Sequence, residues 1–136
     1  MASLLRLHYR LAMRDAKVAF AAHNYAQAFQ LLERAHVLGQ RNVLAHWQSH
    51  WWMLRCGLRQ GHRREVFGQV LRLFAVVPGF VLGWVPLGNT GGANVSALQP
   101  MPITDPTLRV IVPTYSCWWD VLIRIAVVAM IVFVWF

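Results

Sequence analysis

The sequence predicts an all-α fold with two helical hairpins (four helices), followed by an irregular arm and a hydrophobic C-terminal helix. Apolar residues recur at helical spacing through the first 78 residues, whereas Gly, Pro, Asn, Ser and Thr are scattered through the next stretch and the end is almost entirely apolar. A chain of 136 residues has the size of one domain. We therefore divide it into a four-helix domain (1–78), a Gly- and Pro-rich arm (79–116) and a hydrophobic C-terminal segment (117–136).

The first predicted hairpin covers residues 4–39. His23-Asn24 breaks its first helix, residues 4–22, and Asn24 is suited to cap a second helix that ends at Gly39. Apolar spacing predicts that the first helix turns inward Leu4, Leu7, Leu11, Val18 and Ala19, and the second Tyr25, Ala28, Leu31, Leu32 and Ala35.

The second predicted hairpin covers residues 43–76. Asn42 is positioned to cap a third helix over 43–59, and a fourth helix over 63–76 is expected to stop at Pro78-Gly79. The broad apolar face of the third helix contains Trp47, Trp51, Leu54 and Leu58, and that of the fourth contains Val66, Phe67, Val70, Leu71 and Phe74.

The two hairpins are similar to each other, with residues 19–29 corresponding to residues 56–66. Small residues and a short polar turn in each unit resemble a tetratricopeptide-like helical hairpin. Two such units are fewer than the three or more that a solenoid core usually needs. The rest of the chain is therefore expected to complete the core.

The C-terminal segment predicts a membrane-inserted helix. Its only charged residues are Asp120 and Arg124, and Trp118, Trp119 and Trp135 suit the two interfacial belts of a bilayer. A buried core helix is the alternative interpretation. Because the N-terminus lacks the apolar core of a secretory signal, we expect a cytoplasmic domain that the C-terminus anchors to the inner membrane.

Charge suggests which partners the chain binds. The formal net charge of +8 favours an anionic partner, and the apolar tail places membrane lipid before a protein partner. Nucleic acid is the weaker alternative, and it would depend on Arg55, Arg59, Arg63, Arg64 and Arg72 around the second hairpin's turn. Cys56 and Cys117 are too few for a disulfide framework, so reduced thiols are expected.

A candidate metal site lies in the stretch from Glu33 to His50. Glu33 and His36 are three residues apart on one helix, and His46 and His50 are four apart on the next, so each pair shares a helix face. If the turn folds the helices together, the four side chains form a ligand set suited to a divalent transition metal, zinc or copper. In the alternative, the histidines hydrogen-bond across the hairpin or face solvent. Metal affinity is expected to fall as the pH drops through about 6.5.

No motif indicates catalysis. H-W-Q-S-H at 46–50 lacks the Glu that follows the first His in zinc proteases, and no Ser or Cys is visibly paired with a base. The Gly-rich loop at 88–96 is either an anion-binding loop or a structural loop over the helices. We expect a non-enzymatic binding or accessory protein, with a metal-handling protein as the alternative.

Four motifs carry a family resemblance: L-E-R-A-H-V-L-G-Q-R at 32–41, H-W-Q-S-H-W-W-M-L-R at 46–55, R-R-E-V-F-G-Q at 63–69, and G-N-T-G-G-A-N-V-S at 88–96 with P-M-P-I after it. Together they resemble a family of small, uncharacterised bacterial proteins of unknown function, often encoded among heavy-metal resistance genes. The resemblance covers roughly residues 10–104 and ends before the hydrophobic tail. It implies an α-helical domain and a link to metal stress, without an established activity.

Overall fold

The computed structural model describes residues 3–112 and 118–135, with side chains except at 118–120. The helices are α1 (Ser3–Ala21), α2 (Tyr25–Gly39), α3 (Val43–Gln60), α4 (Arg63–Val81), α5 (Pro106–Ile111) and α6 (Trp118–Trp135). Short turns join the first four, and α1 packs on α2, α2 on α3, and α3 on α4. The predicted all-α fold with two helical hairpins is confirmed.

The predicted caps define the hairpin turns. The Asn24 side chain accepts a hydrogen bond from the Gln27 backbone at 3.2 Å, and the Asn42 side chain accepts one from the Ala45 backbone at 2.9 Å. α3 ends at Gly61, whose φ of 69° is the left-handed conformation that glycine adopts without strain. These local signals fix where α2 and α3 begin, and hence which turns of the two helices face each other.

One helix extends beyond its predicted end, and one helix was not predicted. α4 continues past Pro78 to Val81, because proline removes only its own backbone donor and the Leu82 N–H still donates to the Pro78 carbonyl at 2.9 Å. The arm also contains α5, which the sequence analysis did not predict. Asp105 caps that helix by accepting from the Thr107 backbone at 2.8 Å, and Pro106 occupies its first turn.

Several predicted inward faces are wrong. The large apolar residues Leu4, Leu7, Leu11, Val18, Trp47, Trp51, Leu58, Phe67, Val70, Leu71 and Phe74 are exposed. On α2 the predicted Ala28, Leu32 and Ala35 are buried. Elsewhere small residues are buried instead, including Ala12, Ala16 and Cys56. They allow the helices to approach closely: a Cβ on Gly39 would lie 3.1 Å from the Ala45 side chain. The close seam between α1, α2 and α3 therefore determines which face is buried.

The C-terminal helix contacts the end of α4 through its first turns. Arg124 donates a hydrogen bond to the Phe80 carbonyl at 2.9 Å and lies over the Phe80 ring. From Leu122 to Trp135 the large apolar side chains are exposed, so the alternative of a buried core helix is not what the structure shows. In the described parts of the chain, no helix combines the length and the apolar character that a membrane crossing requires. The thiol of Cys117 and the side chains of Trp118 and Trp119 lie outside the described residues.

Candidate metal centre

Three of the four predicted ligands converge between α2 and α3. His36 comes from the last turns of α2, and His46 and His50 come from successive turns of α3. One nitrogen from each ring lies within 4.8 Å of the other two, and all three side chains are buried. The Nε2 atom of His50 is 3.2 Å from Nε2 of His36 and 3.0 Å from Nε2 of His46. The three rings therefore bring one nitrogen each into a single small cluster.

The protein fixes the protonation of two of these rings. Nδ1 of His36 lies 2.8 Å from the Asn89 carbonyl, which only accepts, so Nδ1 must donate. Nδ1 of His50 lies 2.7 Å from Oε1 of Gln69. The Gln69 amide is oriented by its Nε2, which donates to Glu65 at 2.6 Å and to the Gly91 carbonyl at 2.8 Å. His50 Nδ1 therefore donates as well.

These tautomers leave a lone pair at Nε2 of both His36 and His50. The two atoms face each other at 3.2 Å with no proton to share, unless one ring becomes cationic. Zinc bound to imidazole nitrogens at about 2.0–2.1 Å in a tetrahedral shell would hold them about 3.3 Å apart. The observed spacing thus matches metal coordination, and it does not match a hydrogen bond between two neutral rings.

His46 is held less firmly than the other two ligands. Among the described residues, its buried Nδ1 atom has no hydrogen-bond partner. In a metal-free chain its Nε2 can therefore carry the proton and donate to Nε2 of His50 at 3.0 Å. Binding an ion would move that proton to Nδ1. His46 is consequently the one of the three whose tautomer would have to change if an ion bound.

The arm forms the outer shell of the site. Buried Gln40 donates to the Pro86 and Asn89 carbonyls at 3.0 and 2.8 Å, and it accepts from the Gly88 backbone at 3.0 Å. Gly91, at φ 85°, packs so closely on the His36 ring that a Cβ would lie 2.7 Å from it. The loop at 88–96 is therefore a structural loop that holds the Nδ1 acceptor of His36 in place.

The alternative of an anion-binding loop at 88–96 is not supported. Several of its backbone donors are engaged within the protein: Gly88 N–H donates to the Gln40 side chain at 3.0 Å, Gly91 N–H to the Asn89 side chain at 2.9 Å, and Ala93 N–H to Glu65 at 3.0 Å. The bonds to Gln40 and Glu65 hold the loop against the end of α2 and against α4.

Glu33, the fourth predicted ligand, is not part of the histidine group. Its carboxyl is partly buried and hydrogen-bonds with Thr90, and burial raises its pKa. Cys56 is also outside the group; its thiol is in the core, where burial raises its pKa to about 11. The site is thus a three-histidine cluster, which is a correction to the four-residue prediction.

The residues that orient the cluster were missed in the sequence. Gln40, Gln69 and Asn89 are polar and fully or nearly fully buried, at 2%, 0% and 2% exposure. Gln69 lies at the position of α4 that faces α3, although α4 was expected to bury Val66, Phe67 and Val70. The available signal was that all three amides lie within the four motifs described above, and that a buried neutral imidazole needs an acceptor for its N–H.

Burial keeps the three rings neutral. It lowers the pKa of His46 to about 4 and that of His50 to about 3, where the His46 ring adds to the effect. The pKa of His36 is lowered well below its usual value, by burial first and then by the other two rings. A neutral imidazole is the form that binds metal. Protons should therefore compete with a metal ion for these nitrogens only well below pH 6.5, the pH that the sequence predicted for the loss of affinity.

The depressed pKa values predict acid sensitivity of the metal-free protein. In the unfolded chain these histidines take up protons near pH 6.5, before the folded ones do, so folding stability is full above that pH and falls as the pH decreases towards 3–4. At pH 5 the expected loss is at most about 2 kcal/mol for each histidine. Urea unfolding at pH 7.5 and pH 5 measures this loss of stability. His46→Gln should reduce the difference between the urea midpoints at the two pH values. Equal midpoints for the wild-type protein at both pH values would contradict the prediction.

Comparison with known proteins gives one match. The model of a family described as "Protein of unknown function (DUF3703)" matches residues 3–111, which include α1 to α5 and the whole histidine site. No curated protein and no solved structure matches the chain.

Proposed function

Since the chain belongs to the DUF3703 family, whose description assigns no activity, we propose a function from the site itself: the protein binds a divalent transition metal, zinc or copper, through His36, His46 and His50. The observation that carries this proposal is the pair of opposed Nε2 lone pairs at 3.2 Å, each fixed by an Nδ1–H bond on the far side of its ring. Metal-ligating histidines usually have such a second hydrogen bond to a carbonyl or carboxylate.

The ligand set favours zinc or copper over harder ions. Three neutral imidazoles suit these metals, whereas magnesium and calcium prefer oxygen ligands. With three protein ligands, one coordination position is left for a small molecule or solvent.

Elemental analysis tests the proposal. The full chain, purified without chelator and then dialysed against equimolar zinc or copper, should retain about one ion per chain. A His36→Ala, His50→Ala double variant should retain none, while the exposed His62→Ala control should retain the same amount as the wild type. Equal metal content in all three proteins would overturn the proposal.

We also propose, as a second function, that residues 117–136 attach the protein to a lipid surface. The supporting observation is the exposure of apolar side chains along α6, including Phe133 at 86% and Trp135 at 81%. Such a surface is stabilised by burial in an apolar phase. For a protein partner, the contact surface would be the stacked, exposed pair Trp47 and Trp51, whose ring centroids are 5.8 Å apart.

Deleting residues 117–136 should move the protein from the membrane fraction to the soluble fraction. The physical reason is the loss of the long exposed apolar helix, while the histidine site and α1 to α4 remain. Fractionation of cells expressing each form measures the change, with metal content as the check that the remaining domain is folded. Identical partitioning of the two forms would show that the segment is not an anchor.

A further inference from the structure

A cavity of about 150 Å³ adjoins the histidine cluster. The three imidazoles form part of its wall, and the remainder is mainly apolar, with Val76, Trp84 and Leu98 among its lining residues. Liquid water occupies about 30 Å³ per molecule, so the cavity has room for a ligand of a few heavy atoms. The far sides of the His36 and His50 rings are closed by Asn89 and Gln69. An added ligand would therefore reach a bound ion from the cavity.

The charge around this cavity is positive once an ion is bound. The three histidines are neutral ligands, so a divalent ion keeps both of its charges. Arg72 from α4 lines the same cavity, and it is half-buried with one N–H donating to the Val95 carbonyl at 2.7 Å. Neither Glu65 nor Glu33 is among the residues that line the cavity. Glu65 accepts from the Ala93 backbone and Gln69, and Glu33 hydrogen-bonds with Thr90. Burial lowers the pKa of Arg72, and the charge of Glu65 opposes that shift.

Both cationic groups thus face a partly open cavity with mainly apolar walls. The apolar walls lower the local polarity, which strengthens the attraction between such charges and an anion. An arginine guanidinium adds directional N–H donors that suit anionic oxygen or nitrogen. A neutral ligand would gain from neither the ion's charge nor the arginine.

We propose that this cavity binds a small monodentate anion, which occupies the fourth coordination position of the metal and is stabilised by Arg72. The inference depends on the proposed metal-binding function. It assigns to the site a ligand class, small anions of carboxylate size or less, and it assigns to Arg72 the role of selecting negative charge.

The test uses full-length protein loaded with cobalt(II), whose visible absorption responds to a change of ligand, and azide as the probe anion. Azide should change the spectrum saturably. Arg72→Gln should weaken azide binding by about tenfold while cobalt affinity stays unchanged, and Arg72→Lys should restore part of the azide affinity. Arg64→Gln, an exposed change on the same helix, is the matched control.

The outcomes separate the two proposals. Cobalt binding without any response to azide, or equal azide affinity in wild type and Arg72→Gln, would overturn the anion site and leave the metal site standing. A chain that binds no cobalt, zinc or copper would overturn both. An Arg64→Gln effect as large as that of Arg72→Gln would show a general charge effect and would overturn the role of Arg72.

Discussion

Replacing any one of His36, His46 and His50 with alanine is expected to weaken zinc binding by at least about 100-fold. Each change removes one of three nitrogen donors, and the loss of even an outer-shell partner typically costs 10–100-fold. Calorimetric titration of full-length protein at pH 7.5 measures the affinities. His62→Ala is the matched control, because His62 is exposed at the start of α4 and makes no side-chain cap.

Gln69→Leu extends the same series to the outer shell. It removes the acceptor of the His50 Nδ1–H at 2.7 Å and should weaken zinc binding by about 10–100-fold without removing a ligand. Melting temperatures of the metal-free variants identify any that fail to fold. Weak, equal binding by the wild type, His46→Ala and His62→Ala would show that the histidines are only polar parts of the fold.

Local signals in the sequence were sufficient for the helices but not for their faces. Asn24, Asn42 and Gly61 act through backbone groups within a few residues of themselves, and so their effects are visible in the sequence. The buried face depends on how near two helices come. In a chain that is 57% hydrophobic, large apolar residues occur on several faces, and periodicity alone does not distinguish them. On α2 the predicted stripe of Ala28 and Ala35 is buried, whereas on α1 the buried Ala12 and Ala16 are not the residues that the large apolar side chains indicate.

The sequence predicts the three histidines of the site, because local spacing brings them together, but it does not predict the residues that orient them. Spacing places His46 and His50 on one face of α3, and the short turn after Gly39 brings His36 towards them. Glu33 shares the helix face of His36, but it is one turn away and is directed to Thr90 in the arm. The contacts of Gln40 and Gln69 with the arm join residues more than 20 positions apart, which no local pattern reveals.

Ala28→Glu is expected to unfold the protein. Ala28 has no exposed surface and belongs to the hydrophobic core, so a glutamate there places both extra volume and an unpaired charge in that core. A buried unpaired charge costs roughly 3–5 kcal/mol, against a total stability of about 5–15 kcal/mol for a typical domain. Leu31→Arg should be milder, because Leu31 is only partly buried.

Ala26→Glu separates this packing effect from the effect of the residue type. Ala26 is exposed on the same helix, two residues earlier, and a carboxylate in the first turn of a helix is slightly stabilising. Circular dichroism should therefore show a normal thermal transition for Ala26→Glu and a lost or strongly lowered one for Ala28→Glu. Because His36 follows Ala28 on the same helix by eight residues, the unfolded variant should also lose its metal. An Ala28→Glu protein with the melting temperature of the wild type would show that this face of α2 is not part of the core.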